Sequence, residues 1–290
     1  MEEKSYVLNQ EISPQMTDDA KMELYLYSLR KMAENNLESN RAFMTGLYNL
    51  RAFQYKAAEE MLENPELRFA LIVMDIANFK SVNEFCGRTM GDELLKCIAG
   101  AFKEHSGEHV VLSHFRADIF AMLTPFQKDS DLIEKIKRIE QRIEAFQIPC
   151  KVLPSFGICV ATDSKMPVSL MRDYATMAMK TIKGKFYADY AFFSDEMRQT
   201  MLMEKQIEND MVEALKTGQF RLFIQPKVNM KSGEIIGGEA LVRWHHPVNG
   251  IIGPGQFIPV LEKNGFIINV DIHVWNDVFG VIGYRLEEGN

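Results

Sequence analysis

The sequence is short of several things, and each shortage narrows what it can be. It holds four cysteines in 290 residues, and Cys86, Cys97, Cys150 and Cys159 stand singly among apolar neighbours. With no CxxC pair and no cysteine–histidine spacing, a disulfide scaffold and a structural zinc centre are excluded. The four read as buried thiols in a reducing compartment. Apolar runs stay well short of the roughly 20 residues that cross a bilayer. The opening MEEKSYVLNQEISPQ has neither the basic start nor the apolar middle of a secretory signal, so no membrane segment and a cytoplasmic protein are expected. Positive charge is also scarce: 33 Lys and Arg against 40 Asp and Glu give a formal net charge of −7. Nonspecific nucleic-acid binding needs a basic surface and is disfavoured, whereas a small anionic ligand needs only a few local cations.

What remains is a chain with 47% hydrophobic and 25% charged residues, a globular composition long enough for two domains. Residues 1–16 read as a loose polar tail, and Met22, Leu26, Leu29 and Ala33 recur at helical steps between Thr17 and Glu38. LRFALIVMDI is a continuous apolar run, as expected of a strand buried on both faces. Leu94, Ile98 and Phe102 mark a helix from Gly91 to His105. VVLSHF and IFAMLT are strands so close that only a hairpin joins them, its turn on Arg116, Ala117 and Asp118. Asp131 and Glu134 have capping-box spacing before an isoleucine ladder from Ile133 to Ile143. PSFGICVAT reads as a strand, VSLMRDYATMAMKTIKG as a helix closed by Gly184, and YAFFS as a last strand. This order, β-α-β-β-α-β with an extra helix, predicts an antiparallel ferredoxin-like α/β sandwich. The expected divisions are a tail and helix at 1–39, a first domain at 40–195, a linker helix at 196–218 and a second domain from 219 to 290. That second domain opens with FRLFIQP and GEIIGGEALVRW, then a helix near PGQFIPVLEKNG and another from about Asn269.

The acids of the first domain fall at telling places. Asp75 ends the strand LIVMDI, and Asp118 sits at the hairpin turn, near Asp75 if the hairpin flanks that strand. Two carboxylates at one sheet edge can hold Mg²⁺ on a nucleoside triphosphate. Equally, Asp75 can cap the next helix and Asp118 can serve only as a turn residue. In the second domain, strand alternation puts Glu239, Leu241 and Arg243 on one face of GEALVRW. The two charges lie too far apart along the strand for a salt bridge, so they are placed to share a ligand, through a metal and a phosphate oxygen respectively, or to be two solvated charges.

MTGLYNLRAF, LIVMDIANFKSVNEFCGRTMGDELLKCIA, RADIF, SFGI and YATMAMKTIKG resemble, in order and spacing, the GGDEF domain of bacterial diguanylate cyclases, over about 150 residues. The resemblance implies a GTP-binding fold, two copies of which meet to make cyclic di-GMP. It implies a metal-binding role for Asp75, guanine-reading roles for Asn83 and Asp92, and triphosphate-proximal lysines at Lys80 and Lys183. Against the family signature, however, the two glycines are Arg116 and Ala117, and Ile119 replaces the acidic residue; Asp118 survives. Ala77 replaces the second Asp of Asp-x-Asp, Tyr187 a later Arg, and Gly107 and Val110 the Arg-x-x-Asp of product inhibition. Glycine lets backbone N–H groups approach phosphate, and isoleucine ligates nothing; losing one charge-stabilising group costs ~10²-fold or more. The expectation is no cyclase activity, with GTP binding left open as a regulatory function.

FIQPKV, GEIIGGEALVRWHHP and GIIGPGQFIPVLEKNGFI resemble the opening of the EAL domain of cyclic di-GMP phosphodiesterases, including the Glu-Ala-Leu at 239–241. The resemblance implies the start of a modified TIM barrel that hydrolyses cyclic di-GMP by metal-activated water. It implies metal ligation by Glu239, with Mg²⁺ or Mn²⁺, a phosphate contact by Arg243, and substrate-facing places for Gln225 and Leu241. Such a barrel takes about 200 residues or more, so a fragment or a truncated product is expected, silent as it stands and a phosphodiesterase when completed. The competing expectation is a catalytically inactive interaction or scaffold module. A homodimer through the Thr17–Glu38 stripe is a further expectation.

Overall fold

The computed structural model describes residues 41–185 and 188–287; the expected tail, the Thr17–Glu38 helix and Tyr187 lie outside them. Within those residues the chain forms two compact units that divide between Ser194 and Asp195.

The first unit runs α1 (Leu50–Glu63), β1 (Phe69–Ile76), α2 (Phe79–Cys86), α3 (Arg88–Lys103), β2 (Val111–Arg116), β3 (Ile119–Pro125), α4 (Asp129–Glu144), β4 (Pro154–Val160), α5 (Val168–Ile182) and β5 (Tyr190–Phe192). Its sheet has the order β2-β3-β1-β4-β5, antiparallel except for the β4–β5 pair. This is the ferredoxin-like α/β sandwich that the element order predicts. All eight residues of β1 are buried, because the sheet is covered on both sides. Ala70, Ile72, Met74 and Ile76 meet α3 and α4, while Phe69, Leu71 and Val73 meet α1 and α5. The apolar run of LRFALIVMDI thus splits by alternation between two cores. Helix α5 lies so close to β4 that a Cβ on Gly157 would come within 1.8 Å of the Ala175 carbonyl oxygen; only glycine fits there.

Several local expectations are corrected. The hairpin turn is shorter than expected: Arg116 is the last residue of β2 and pairs with Ile119, leaving only Ala117 and Asp118 between the strands. Asp131 does not cap α4 from outside. It lies in the first turn, where its carboxylate accepts from the Gln127 and Lys128 backbone N–H groups at 3.2 and 2.9 Å, because Asp129 and Ser130 already belong to the helix. The cysteines are not uniformly buried either: Cys159 is, but Cys86, Cys97 and Cys150 are only partly so.

The second unit runs α6 (Asp195–Lys216), β6 (Phe220–Val228), β7 (Ile235–His246), β8 (Gly250–Ile252), α7 (Pro254–Asn264) and α8 (Ile267–Glu287). Its three strands form one antiparallel sheet, β6-β7-β8, and do not close into a barrel. Helix α6 contributes Ile207 and Ala214 to a core with Phe220, Trp244, Phe257 and Leu261. Trp244 is fully buried, with Phe220 and Phe257 against its ring and its indole N–H donating to Gln219 Oε1 at 2.9 Å. Pro254 occupies the first turn of α7, where a missing N–H costs nothing, and Gly265 closes it at φ 78°. Among the described residues, no helix is long and apolar enough to cross a membrane.

Candidate functional site

The first unit gathers its polar groups where β1 ends beside the β2–β3 turn. Met74 pairs with Phe120, and this register carries Asp118 to the end of β1, where its carboxylate accepts from the Ile76 N–H at 3.3 Å. Asp75 is buried at the same end. The two acids predicted from separate segments are therefore brought together. Burial, then the negative charge of Asp75 and a hydrogen bond to it, push the Asp118 carboxyl up to about 6; Lys183 pulls the other way.

Lys183, just past α5, reaches the same place. Its ammonium nitrogen lies 2.7 Å from Asp75 Oδ1 and 2.8 Å from Oδ2. Only the Oδ2 contact has hydrogen-bond geometry, so the buried Oδ1 is held by charge alone. Lys80, by contrast, lies on the exposed face of α2, 3.6 Å from Glu84. Of the two lysines expected near a triphosphate, one is tied to the first acid and the other faces solvent.

This donor set does not fit a resident divalent ion. Asp75 already has a cation on both oxygens, the Asp118 carboxylate is engaged by the Ile76 N–H, and position 77 carries alanine. No group of three or more His, Cys, Asp or Glu side chains among the described residues is arranged for a metal. Ile119 is partly buried and packs against the core beneath α1 and α5, so the position after Asp118 is an apolar anchor.

The turn itself is held from below by a residue that the sequence reading missed. His114 is buried, stacks on Phe120 at 4.4 Å between ring centroids, and has Nε2 2.7 Å from the Ala117 carbonyl. A carbonyl can only accept, so Nε2 carries the proton and Nδ1 is free to accept from the Thr45 hydroxyl at 3.2 Å. Burial lowers the His114 pKa and favours this neutral ring, although the Ala117 bond works against it. The contact steadies Ala117 at φ 46°, a conformation uncommon for a residue other than glycine. The available signal was a lone histidine inside an apolar run beside the turn.

The base-reading candidates sit together on α2 and α3. Asn83 is half-buried and Asp92 exposed. The side chain of Asn83 lies over Gly91, where a Cβ would meet its Oδ1 at 1.9 Å. Gly91 thus lets the amide lie against the first turn of α3, next to Asp92.

In the second unit, Gln225 and Glu239 are direct cross-strand partners, as are Phe223 and Leu241, and Arg221 and Arg243. The predicted face of β7 therefore continues onto β6. Glu239 lies 3.7 Å from Lys227, with both side chains more than half exposed, and the Arg243 guanidinium lies 5.6 Å from the Phe223 ring centroid. One carboxylate and one amide oxygen are too few to hold a catalytic metal.

Residues 39–186, about half of the chain, match the family model described as diguanylate cyclase, GGDEF domain, and residues 208–283 match the EAL domain. The bifunctional diguanylate cyclase/cyclic di-GMP phosphodiesterase MucR of Pseudomonas aeruginosa is 33% identical over 207 residues, 70% of this chain and 30% of its own length. The cyclic di-GMP phosphodiesterase NbdA of the same organism is 30% identical over 252 residues, 84% of this chain and 31% of its own. The cyclic di-GMP phosphodiesterase PdeR of Escherichia coli is 28% identical, covering 87% and 38%. The chain thus spans about a third of the length of these curated relatives. Among solved structures, the S helix-GGDEF-EAL part of LapD from Vibrio cholerae, bound to c-di-GMP, matches at a TM-score of 0.55 with 15% identity, over 92% of this chain and 62% of that one. The GGDEF domain of TpbB (YfiN) from Pseudomonas aeruginosa matches at a TM-score of 0.50 with 19% identity, over 56% and 99%. At these identities the likeness is one of fold, and it agrees with the sandwich derived above. The chain belongs to the GGDEF family of diguanylate cyclase domains and carries, behind that domain, residues that match the EAL domain.

Proposed function

We propose that the chain is part of a cyclic di-GMP signalling protein in which the GGDEF domain no longer cyclises GTP and instead serves as a regulatory GTP-binding module. The observation that carries the reading is the Lys183 ammonium seated on both oxygens of Asp75. An internal cation neutralises the first acid, while Ile119 supplies no carboxylate to orient an attacking hydroxyl. The base-reading end is different in kind: Asn83 and Asp92 remain polar and reachable, the carboxylate of Asp92 suited to accept from the two N–H groups on the guanine edge. Mg²⁺ would enter this site only as the counter-ion of a bound triphosphate.

The EAL domain, on this reading, hydrolyses cyclic di-GMP when completed beyond residue 290. Glu239 then contributes to a metal site built with residues from later strands, and Arg243 binds a phosphate. The exposed apolar side chains of the second unit, including Ile224, Ile235 and Ile236, fit surfaces covered by such a barrel.

Titration calorimetry of the chain with GTP and Mg²⁺ tests the first half. Expected are one GTP bound per chain, a loss of affinity of about tenfold or more in Asp92→Ala, and no cyclic di-GMP formed. Formation of cyclic di-GMP would overturn the loss of cyclase chemistry. Absence of GTP heat would favour instead a catalytically inactive interaction module. For the second half, a chain extended through the full barrel should release linear pGpG from cyclic di-GMP with Mg²⁺ or Mn²⁺.

A further inference from the structure

Two of the four cysteines meet although 64 positions separate them: Cys86 Sγ lies 3.2 Å from Cys150 Sγ. Cys86 is the last residue of α2, and Cys150 lies in the segment that leads into β4. Both are partly exposed, so a small oxidant can reach them. The other two thiols provide an internal contrast. Cys159 is buried, its thiol pushed up to about 12 by that burial, and Cys97 faces the Arg142 carbonyl at 3.7 Å rather than another sulfur.

We propose that Cys86 and Cys150 form a reversible disulfide that ties the C-terminal end of α2 to the segment preceding β4. The gap between the sulfurs has to close from 3.2 Å to about 2.05 Å, a movement of roughly one ångström at the tips of two partly exposed side chains. With glutathione disulfide as oxidant, one protein thiolate attacks a glutathione sulfur, the S–S bond breaks and one glutathione leaves. The second protein thiolate then attacks the protein-bound sulfur of the mixed disulfide and the other glutathione leaves. Two protein thiols lose two electrons, one glutathione disulfide becomes two thiols, and the two protons from the protein end on them.

The placement gives the bond a consequence. Helix α2 has only eight residues and buries only Val82, so little apolar packing fixes it. It nevertheless carries Asn83, one turn before Cys86. A covalent tie at its end would restrict the helix that presents Asn83 beside Asp92. The effect on nucleotide binding rests on the proposed GTP reading; the bond itself does not.

The test equilibrates the 290-residue chain in glutathione buffers of rising oxidised fraction, then blocks free thiols, digests and weighs the peptides. A linked pair containing Cys86 and Cys150, two hydrogens lighter than the separate peptides, is expected. The oxidised chain should melt on the order of 5–10 °C above the reduced one. Cys86→Ser and Cys150→Ser each abolish the link and the shift, and Cys97→Ser keeps both. Free thiols throughout, glutathione adducts alone, or a link through Cys97 or Cys159 would overturn the proposal. Calorimetry with GTP on both redox forms separates the two ideas. A crosslinked chain that binds GTP as the reduced chain does removes the effect on the pocket, and absence of GTP heat in both forms sinks the nucleotide reading while leaving the disulfide standing.

Discussion

The central strands of the two units behave in opposite ways. Every residue of β1 is buried, whereas β7 buries only Trp244 and His246. The polar residues carried by each follow suit. Asp75, at the end of a covered strand, is held by Lys183 at 2.7 Å and shares its environment with Asp118. Glu239, on an open sheet, has only an exposed lysine at 3.7 Å, a pairing worth little in water. A covered sheet turns its edge charges into a connected set with fixed roles, while an open one leaves them available for groups that the described residues do not supply.

The largest blow to this contrast should come from Trp244→Ala. The indole is the biggest fully buried side chain of the second unit, and truncating such a residue costs about 3–5 kcal/mol. The core it leaves, built on Phe220, Phe257 and Leu261, is small, so hydrogen exchange should show β6, β7 and α7 losing protection together. Amides of β1 and β4 should keep theirs. Equal loss in β1 would show that the two units unfold as one and would dissolve the comparison.

Gly157→Ala strikes the other side. The added methyl meets the Ala175 carbonyl at 1.8 Å and the Met179 amide nitrogen at 2.6 Å, both backbone atoms, so relief requires α5 to move off β4. Overpacking of this kind costs about 1–3 kcal/mol. Because Lys183 follows α5, the shift should also loosen its hold on Asp75. Chemical denaturation followed by exchange in β1 and β4 should register the loss, with the second unit unmoved; a stability equal to the parent would mean that α5 is not held as tightly as the geometry implies.

How much of this could be read in the residues varied with the kind of signal. Continuous apolar runs such as LRFALIVMDI and the isoleucines of α4 announced elements that the structure contains, because large side chains at a regular period leave little choice. Helix α1 was missed: its buried face is mostly Ala52, Ala57 and Ala58, too weakly apolar to stand out from the surrounding sequence. The short β8 was missed as well, since Gly250–Ile252 offers no period at all. At the site, the meeting of Asp75 and Asp118 followed from the hairpin beside the strand. The seating of Lys183 on Asp75 did not, because it joins residues 108 positions apart through the close approach of α5 to β4. His114 escaped for a related reason: its part depends on a two-residue turn whose length is fixed by strand register rather than by composition.

The smallest expected effect is also the most diagnostic. In the folded chain Asp118 holds its proton up to about pH 6, against 3.8 for the free side chain. A carboxyl whose pKa is raised by folding favours the folded state below about pH 4, and that contribution is lost as the pH climbs through 6. At neutral pH the folded chain therefore carries an ionised Asp118 that burial and Asp75 both oppose. Asp118→Asn removes the charge while keeping an oxygen for the Ile76 N–H. It should be the more stable form at pH 7 by on the order of 1 kcal/mol, discounted for the partial exposure of the group, with the advantage fading below about pH 4. Glu239→Gln, made on the exposed sheet, should stay within about 0.5 kcal/mol of the parent at every pH. Urea unfolding of the three chains between pH 4 and 7 reads both curves. A flat difference for Asp118→Asn would mean that solvent reaches the turn freely, and the two units would then hold their edge carboxylates in the same way.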